Sequence, residues 1–476
     1  VAVGNQSLDA NTTGVQNTAV GDVALSGNTT GNTNAAFGIG ALQANTTASS
    51  NSAVGAYSLT ANTTGDENTA MGAYSLDANT TGSDNTALGY QALSANTTAG
   101  NNTAIGRKTM LVNTTGSGNT AVGAQALDAN TTAANNTAIG YQALGANTTG
   151  ASNTAVGASS LKTVTTAARN TAVGFEALEL STASDNVAVG YLALDTCTTG
   201  SNNTAVGTEC MDANTTGSAN VAMGYRTLDS NTTGSSNTAI GQSALGLATT
   251  ASNNVAIGKD AADSLTTGHS NVVIGADAGQ AATGGLIDSV LIGFQAGASG
   301  TQEAYNVGIG YNALYTNTAA QNTAIGYNVM FANTSGTRNV AVGLQALDGN
   351  TTADDNVSIG HNSMTTNTTG SSNTAVGSSA LLTNTTGAEN VAMGTFCLEN
   401  NTTGSQNTAI GHRALDANTT AANNTALGFA ALGATTTGDR NVAVGSLALD
   451  ATDDGIGNVA VGYSALSANC GDTNTA

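Results

Sequence analysis

The side chains able to do acid, base or nucleophilic chemistry are few and lie far apart. The chain has only three histidines, His269, His361 and His412, which are separated by 92 and 51 residues. A Ser-His-Asp triad or a histidine metal site needs such groups within bonding distance of one another. We therefore expect no enzymatic activity, no catalytic residue and no cofactor.

One group of carboxylates does recur at a nearly fixed spacing. Carboxylates stacked about 5 Å apart repel one another, and bound Ca²⁺ would relieve the repulsion. Side chains that splay into water relieve it equally, so both interpretations stay open. The candidate metal ligands are Glu179, Asp195, Asp212 and Asp229.

The chain has four cysteines, Cys197, Cys210, Cys397 and Cys470. Cys210 and Cys397 lie 11 coils apart and Cys197 and Cys470 lie 16 coils apart, which is too far for an intrachain disulfide. We interpret them as small buried substitutions, and an interchain bridge at Cys197 is the alternative.

A 17-residue repeat organises the chain. The glycine of the pentamer Asn-Thr-Ala-Val-Gly occurs 28 times, and 24 of the 27 intervals are 17 residues long; those ending at Gly190, Gly293 and Gly326 are 16, 18 and 16. We number the repeat from the pentamer's Asn, position one. The consensus is then Asn, Thr/Val, Ala, Val/Ile, Gly, variable, polar, Ala, Leu, variable, Ala, Asn, Thr, Thr, Gly and two variable positions. We interpret residues 1–476 as a single continuous repeat domain.

The repeat favours strands and turns over helix. Each unit carries glycines together with Asn and Thr, which disfavour helix interiors. The pentamer alternates, so positions two and four share one face and position three takes the other. Each unit is predicted to form a strand, a turn, a short strand and a broad turn that absorbs the length changes. Units of this kind bury their faces only by stacking, about 4.8 Å apart. We predict an all-β β-solenoid (β-roll) of about 28 coils, giving a rod.

Stacking in register places like residues over like. Buried Asn at position one can then pass amide hydrogen bonds from coil to coil, as in cross-β assemblies. Gly at position five supplies the turn, because glycine reaches positive φ freely. The predicted ladder residues include Asn17, Asn34, Asn51, Asn68, Asn85, Gly21, Gly38, Gly55, Gly72 and Gly89.

Each coil has few apolar side chains, which leaves a single solenoid marginally stable. We expect positions two and four to pack the core, leaving the position-three alanines as a methyl stripe for close approach of another chain. This predicts a parallel homotrimer, and a monomeric solenoid with alanine in a narrow core stays open. Residues 259–300 are irregular, because Ala262, Gly279 and Gly297 replace Leu at position nine. We predict a bend or loosened packing there.

Charge and hydropathy limit the partners. The net charge of -21 disfavours nucleic acid and anionic lipid. No apolar run approaches the length of a membrane span, so we expect no membrane insertion. Nothing resembles a signal peptide, and Val1 already lies inside a repeat. We therefore expect a piece of a longer chain.

The segments Asn136-Thr-Ala-Ile-Gly-Tyr-Gln-Ala-Leu144 and Asn102-Thr-Ala-Ile-Gly106 resemble the repeats of YadA-like trimeric autotransporter adhesin heads. They are also similar to the repeated shafts of phage tail fibres. The resemblance implies a trimeric left-handed β-roll in an extracellular, cell-surface or virion fibre that presents a binding tip. The adhesin unit is shorter than 17 residues, and the sequence contains neither a membrane anchor nor a chaperone domain of the kind found on many such fibres.

The predicted function is a structural shaft that supports adhesion or receptor binding. Its partners would be copies of itself, and a cell-surface receptor or glycan bound through a tip outside this sequence. One alternative is a repeat surface that itself binds ice, glycan or a neighbouring fibre, and another is a subunit of an end-to-end filament. The Asn-Thr-Thr stretch raises both ice binding and N-glycosylation, for example at Asn28 and Asn45, although a turn requirement also explains it.

Overall fold

A computed structural model describes residues 1–476 of the chain. Every regular element is a short β-strand, and no helix is present that could cross a membrane. The chain divides into two compact units, Val1–Ser236 and Asn237–Ala476. Each unit is a solenoid of parallel strands, so the predicted all-β β-solenoid is confirmed.

The first unit contains fourteen strands, one per coil. They run from position two to position four, except β1, which begins at position three. They are β1 Ala2–Val3, β2 Thr18–Val20, β3 Ala35–Phe37, β4 Ser52–Val54, β5 Thr69–Met71, β6 Thr86–Leu88, β7 Thr103–Ile105, β8 Thr120–Val122, β9 Thr137–Ile139, β10 Thr154–Val156, β11 Thr171–Val173, β12 Val187–Val189, β13 Thr204–Val206 and β14 Val221–Met223.

The second unit contains the other fourteen strands at the same positions of the repeat. They are β15 Thr238–Ile240, β16 Val255–Ile257, β17 Val272–Ile274, β18 Val290–Ile292, β19 Val307–Ile309, β20 Thr323–Ile325, β21 Val340–Val342, β22 Val357–Ile359, β23 Thr374–Val376, β24 Val391–Met393, β25 Thr408–Ile410, β26 Thr425–Leu427, β27 Val442–Val444 and β28 Val459–Val461.

Within each unit, like residues lie over like. In the first unit Ala70 pairs with Ala87, and the register continues through the 16-residue coil, where Ala172 pairs with Ala188. In the second unit Val272 pairs with Val290 across the 18-residue coil. The prediction that turns absorb the length changes is confirmed, because the ladder keeps its register on both sides of each of these irregular coils.

The predicted second short strand is wrong. After the position-five glycine the chain runs through a continuous turn in which positions seven and nine are left-handed, as in Gln91 at φ 55° and Leu93 at φ 56°. The N–H of Gln91 donates to Ala73 O of the preceding coil at 3.1 Å, whereas that of Leu93 donates to Thr109 O of the next coil at 2.9 Å. A left-handed Leu costs about 1 kcal/mol, and hydrogen bonds to both neighbouring coils offset this cost.

The predicted assignment of the two strand faces is also wrong. The position-three alanine is inside: Ala87 is fully buried, while Leu88 at position four is 41% exposed and Thr86 at position two is partly exposed. The interior is narrow, because Ala, Leu and two Asn side chains of each coil share it. A methyl group fits this space beside the position-nine Leu, whereas the larger Val273 and Leu291 at position three are buried in coils that carry Gly279 and Gly297 at position nine. No outward alanine stripe exists to bring a second chain close.

Residues 259–300 keep the parallel register but fill the core differently. Leu291 stands at position three and is fully buried. A Cβ added to Gly297 would lie 2.9 Å from Leu291 Cδ1, and one added to Gly279 would lie 3.3 Å from the same atom. The space in the core that the position-nine Leu fills in other coils is therefore filled here by the position-three side chain. A bend of the solenoid here stays a prediction.

Candidate functional site

The position-one asparagines are buried and hold successive coils together. Asn102 Oδ1 accepts the backbone N–H of Asn119 at 3.0 Å, and Asn102 Nδ2 donates to Gly116 O at 2.9 Å. The side chain thus satisfies one buried backbone donor and one buried acceptor, which would otherwise be left unpaired. The same pattern holds for Asn17, Asn34, Asn51, Asn68 and Asn85.

A second amide ladder lies at position twelve, where the sequence indicated only a turn. Asn113 Nδ2 donates to Asn96 Oδ1 at 3.0 Å and to Gly116 O at 3.0 Å. Asn28 and Asn45 belong to the same ladder and are fully buried, so their amides are not accessible to a glycosyltransferase in the folded chain. The sequence did not reveal this ladder, because the repeated Asn-Thr-Thr stretch is also typical of a turn.

Where position twelve is not asparagine, the ladder is interrupted. Val164 and Thr435 occupy this position and are fully buried. The Oδ1 atoms of Asn147 and Asn418, one coil before each of them, are buried without a hydrogen-bond partner. The fold therefore accepts an apolar or hydroxyl side chain at position twelve and leaves one amide oxygen unpaired as a result.

The position-five glycine is required by contact between coils as well as by its φ angle. Gly21, Gly38, Gly55, Gly72 and Gly89 have φ between 130° and 140°. A Cβ on any of them would lie 2.4–2.8 Å from the carbonyl oxygen of the glycine one coil later. Glycine therefore lets consecutive backbones approach to the distance that the ladder needs.

The two threonines that follow position twelve serve different purposes. Thr29 Oγ1 donates to Thr46 O of the next coil at 3.0 Å, whereas Thr30 points into solvent. Only one of the two hydroxyl rows is therefore free on the surface. A flat face with two adjacent Thr rows, which ice binding would favour, is not formed by this stretch.

The four candidate metal ligands lie in consecutive coils but form no coordination shell. The structure contains no group of three or more His, Cys, Asp or Glu side chains that could hold a metal ion. Glu179 instead pairs with Lys162 at 2.9 Å. Burial raises the pKa of Asp195 to about 6, helped by the charges of Glu179 and Asp212; burial also raises the pKa values of Asp212 and Asp229. The structure therefore gives no support to the calcium hypothesis.

Asp195 should make the stability of the first unit depend on pH. Its pKa is higher in the folded chain than its usual value of 3.8, so the folded state binds the proton more tightly and stability falls as pH rises from about 4 to about 6. Asp195→Asn should make this fall smaller, because Asp212 and Asp229 still contribute to it. The variant should stabilise the unit at pH 7 by about 1 kcal/mol, a value discounted because water screens the half-exposed carboxyl. Urea unfolding at several pH values measures the effect.

Asp185→Asn is the matched control. Asp185 is exposed, and its ion pair with Arg169 at 2.6 Å lowers its pKa. Loss of this carboxylate should leave the fall in stability between pH 4 and 6 in place. An Asp195→Asn variant that keeps the wild-type pH profile would contradict the prediction.

The structure places the cysteines mostly in the interior and the histidines on the surface. Burial raises the pKa of the Cys197 thiol to about 11 and that of Cys210 to about 12, which disfavours the reactive thiolate. All four cysteines are free, and the interchain bridge stays untested. His269, His361 and His412 are exposed and belong to different coils.

The outer surface carries a row of apolar side chains at position four and intermittent aromatic rings at position six. Ile139 and Met223 at position four are 40% and 43% exposed. Rings in neighbouring coils stack, as in Phe175 and Tyr191, whose centroids lie 5.7 Å apart. The outer surface of each unit therefore presents rows of like side chains, one per coil.

Comparison with known proteins gives no identification. No protein-family model matches the chain, and no curated protein is significantly similar to it.

Proposed function

We propose that the chain is a structural shaft of an extracellular, cell-surface or virion fibre that supports adhesion or receptor binding. The observation that carries the proposal is the use of buried polar groups: the two asparagine rows of the coil bond to neighbouring coils and to the backbone. Each added coil therefore provides the next one with the same bonding surface. A repeat of this kind extends a structure without needing a separate core.

Lateral association into a parallel homotrimer is the second part of the proposal. Positions two and four point outwards, and neither holds a charged residue in any repeat, although the chain carries a net charge of -21. Identical chains that repel one another elsewhere can approach along this strip. In one unit the strip is about 10 Å wide and 65 Å long, on the order of 650 Å², which is close to the roughly 800 Å² that each partner buries in a standard interface.

Deletion of whole repeats tests the shaft. Removing Thr86–Asn136, which is three repeats, joins Asn85 to Thr137 and keeps every position in register. We expect a folded particle shortened by about 14 Å, because each coil adds about 4.8 Å. Electron microscopy and small-angle X-ray scattering measure the length. Removing only Thr120–Leu127 puts position ten where position two belongs, and this control should unfold locally. An unchanged length in the three-repeat deletion would sink the proposal.

The same samples test the trimer. Light scattering on the purified chain should give three times the monomer mass of 46.2 kDa. A mass of one chain at micromolar concentration would contradict lateral association while leaving the shaft proposal to the length measurement.

A further inference from the structure

Aromatic residues are concentrated in one part of the second unit. The chain has 11 Tyr and 6 Phe, and six of these lie within three successive coils. We define the aromatic cluster as the five of them at positions six and ten. Its members are Phe294, Tyr311 and Tyr327 at position six, and Tyr315 and Phe331 at position ten.

The fold does not require these rings. Position six holds Ala124 and Ser378 in other coils, and position ten holds Ser94 and Gly145, all without loss of register. Phe294, Tyr311 and Tyr327 are 43%, 44% and 49% exposed. Exposed apolar surface gathered in one place marks a binding site more often than chance placement does.

Rings in successive coils stack in parallel but are offset from one another. The centroids of Phe294 and Tyr311 lie 5.4 Å apart at 20°, those of Tyr311 and Tyr327 5.1 Å apart at 10°, and those of Tyr315 and Phe331 4.9 Å apart at 3°. Carbon atoms in contact lie about 3.5–4.0 Å apart, so the parallel rings are offset. Each ring therefore leaves part of its face uncovered.

Polar groups that carry no charge accompany the rings. Asn312 and Asn328 at position seven directly follow Tyr311 and Tyr327, and Asn312 Nδ2 donates to Asn328 Oδ1 at 3.2 Å. The Asn312 oxygen is buried, so the amide nitrogens are the groups that can face a ligand. The tyrosine hydroxyls can both donate and accept hydrogen bonds. Residues 289–337 contain only one charged side chain, Glu303. This setting disfavours a charged polymer such as nucleic acid, or a charged peptide, as the ligand.

We propose that the aromatic cluster is a lateral binding site for a neutral carbohydrate chain. A sugar ring presents an apolar C–H face that can lie on an exposed aromatic face, and hydroxyls that can bond to the amide and phenol groups beside it. Rings that recur once per coil suit a ligand that also repeats. The proposal does not depend on the shaft function, because it concerns one stretch of the surface.

Binding of the full chain to neutral oligosaccharides tests the site. The probes are the hexasaccharides of β-1,4-glucose, α-1,4-glucose and β-1,4-N-acetylglucosamine, measured by calorimetry. We expect binding to at least one probe and at least a tenfold loss of affinity in the triple variant Phe294→Ala, Tyr311→Ala and Tyr327→Ala. The matched control is Tyr141→Ala, which removes a position-six tyrosine in the other unit that is 54% exposed.

Circular dichroism and the melting temperature show whether the triple variant folds, which we expect because alanine occupies position six elsewhere. A second variant, Asn312→Ala with Asn328→Ala, should also weaken binding while leaving the rings in place. The proposal is overturned if the wild type binds none of the three probes at millimolar concentration. It is equally overturned if the folded triple variant binds as tightly as the wild type, or if the rings bind only a protein or a charged polymer.

Discussion

Gly89→Ala should destabilise its part of the first unit by at least about 4 kcal/mol, which is exceptional for one substitution. The added Cβ would lie 2.4 Å from Gly106 O and 2.6 Å from the carbonyl carbon, at a φ of 138°. Neither atom is on a flexible side chain, so the two backbones must separate. Separation stretches the hydrogen bonds of that coil to both neighbours. Hydrogen exchange of the peptides that cover residues 80–110 measures the loss, because opening of a solenoid is local.

Gly145→Ala is the control in the same unit. Gly145 stands at position ten, where other coils carry Ser94 or Asp128, and its φ is not positive. The nearest atom to its added Cβ is Gln142 O at 3.3 Å. We expect a change below about 1 kcal/mol. Equal exchange protection in the two alanine variants would show that the position-five contact is not required.

The second large effect is expected for Asn119→Ala. Asn119 is fully buried, and its Oδ1 accepts the backbone N–H of Asn136 at 3.0 Å. The variant leaves that N–H buried without a partner, while Ala133 O keeps the amide of Asn130 at 3.1 Å. One orphaned donor and the lost side-chain volume together should cost about 3 kcal/mol. Native-state hydrogen exchange of the Asn136 amide reports the change directly.

The chain itself suggests the rescue variant. Ser289 is the one position-one residue that is not asparagine, and its Oγ accepts the N–H of Asn306 at 3.0 Å. Asn119→Ser has almost the volume of alanine but keeps an acceptor, so it should recover about 1–2 kcal/mol of the loss. If serine and alanine were equally destabilising, the hydrogen bond to the next coil would not be the reason for asparagine at this position.

Position twelve provides a contrasting test of the two ladders. Asn113→Val removes a donor to Gly116 O, but that carbonyl also accepts from Asn102 at 2.9 Å. The side-chain oxygen of Asn96 loses its partner, as happens naturally before Val164. The Asn130 amide loses its bond to Asn113 Oδ1 at 2.7 Å but keeps its bond to Ala133 O at 3.1 Å. We therefore expect a cost of about 1 kcal/mol, well below that of Asn119→Ala. If Asn113→Val destabilised the unit more than Asn119→Ala, the position-twelve ladder would contribute more to stability than the position-one ladder, contrary to this prediction.

The two asparagine positions differ in how clearly the sequence predicted their place in the interior. The near invariance of position one indicated a buried ladder, because few residues other than asparagine can meet the requirement of both the backbone donor and the carbonyl at that point. Position twelve varies through Val164, Cys197, Leu265 and Thr435, so its amide row was not distinguishable from a preference for turns. The aromatic cluster was visible only as scattered tyrosines, since the stacking distances depend on how positions six and ten project from the coil.

The 17-residue period by itself determined the stacked β architecture, the register and the sites of length change. Identical short units rich in Gly, Asn and Thr can satisfy their backbone groups only by bonding to copies above and below. Alternation along the pentamer showed that positions two and four share a face, but a period of two does not say which face is inside. Only the tertiary structure decided this, because the volume left by Leu and two amides in each coil admits alanine and turns Val and Ile outwards. The left-handed positions seven and nine were decided in the same way, since the hydrogen bonds to both neighbouring coils that offset their cost exist only in the stack.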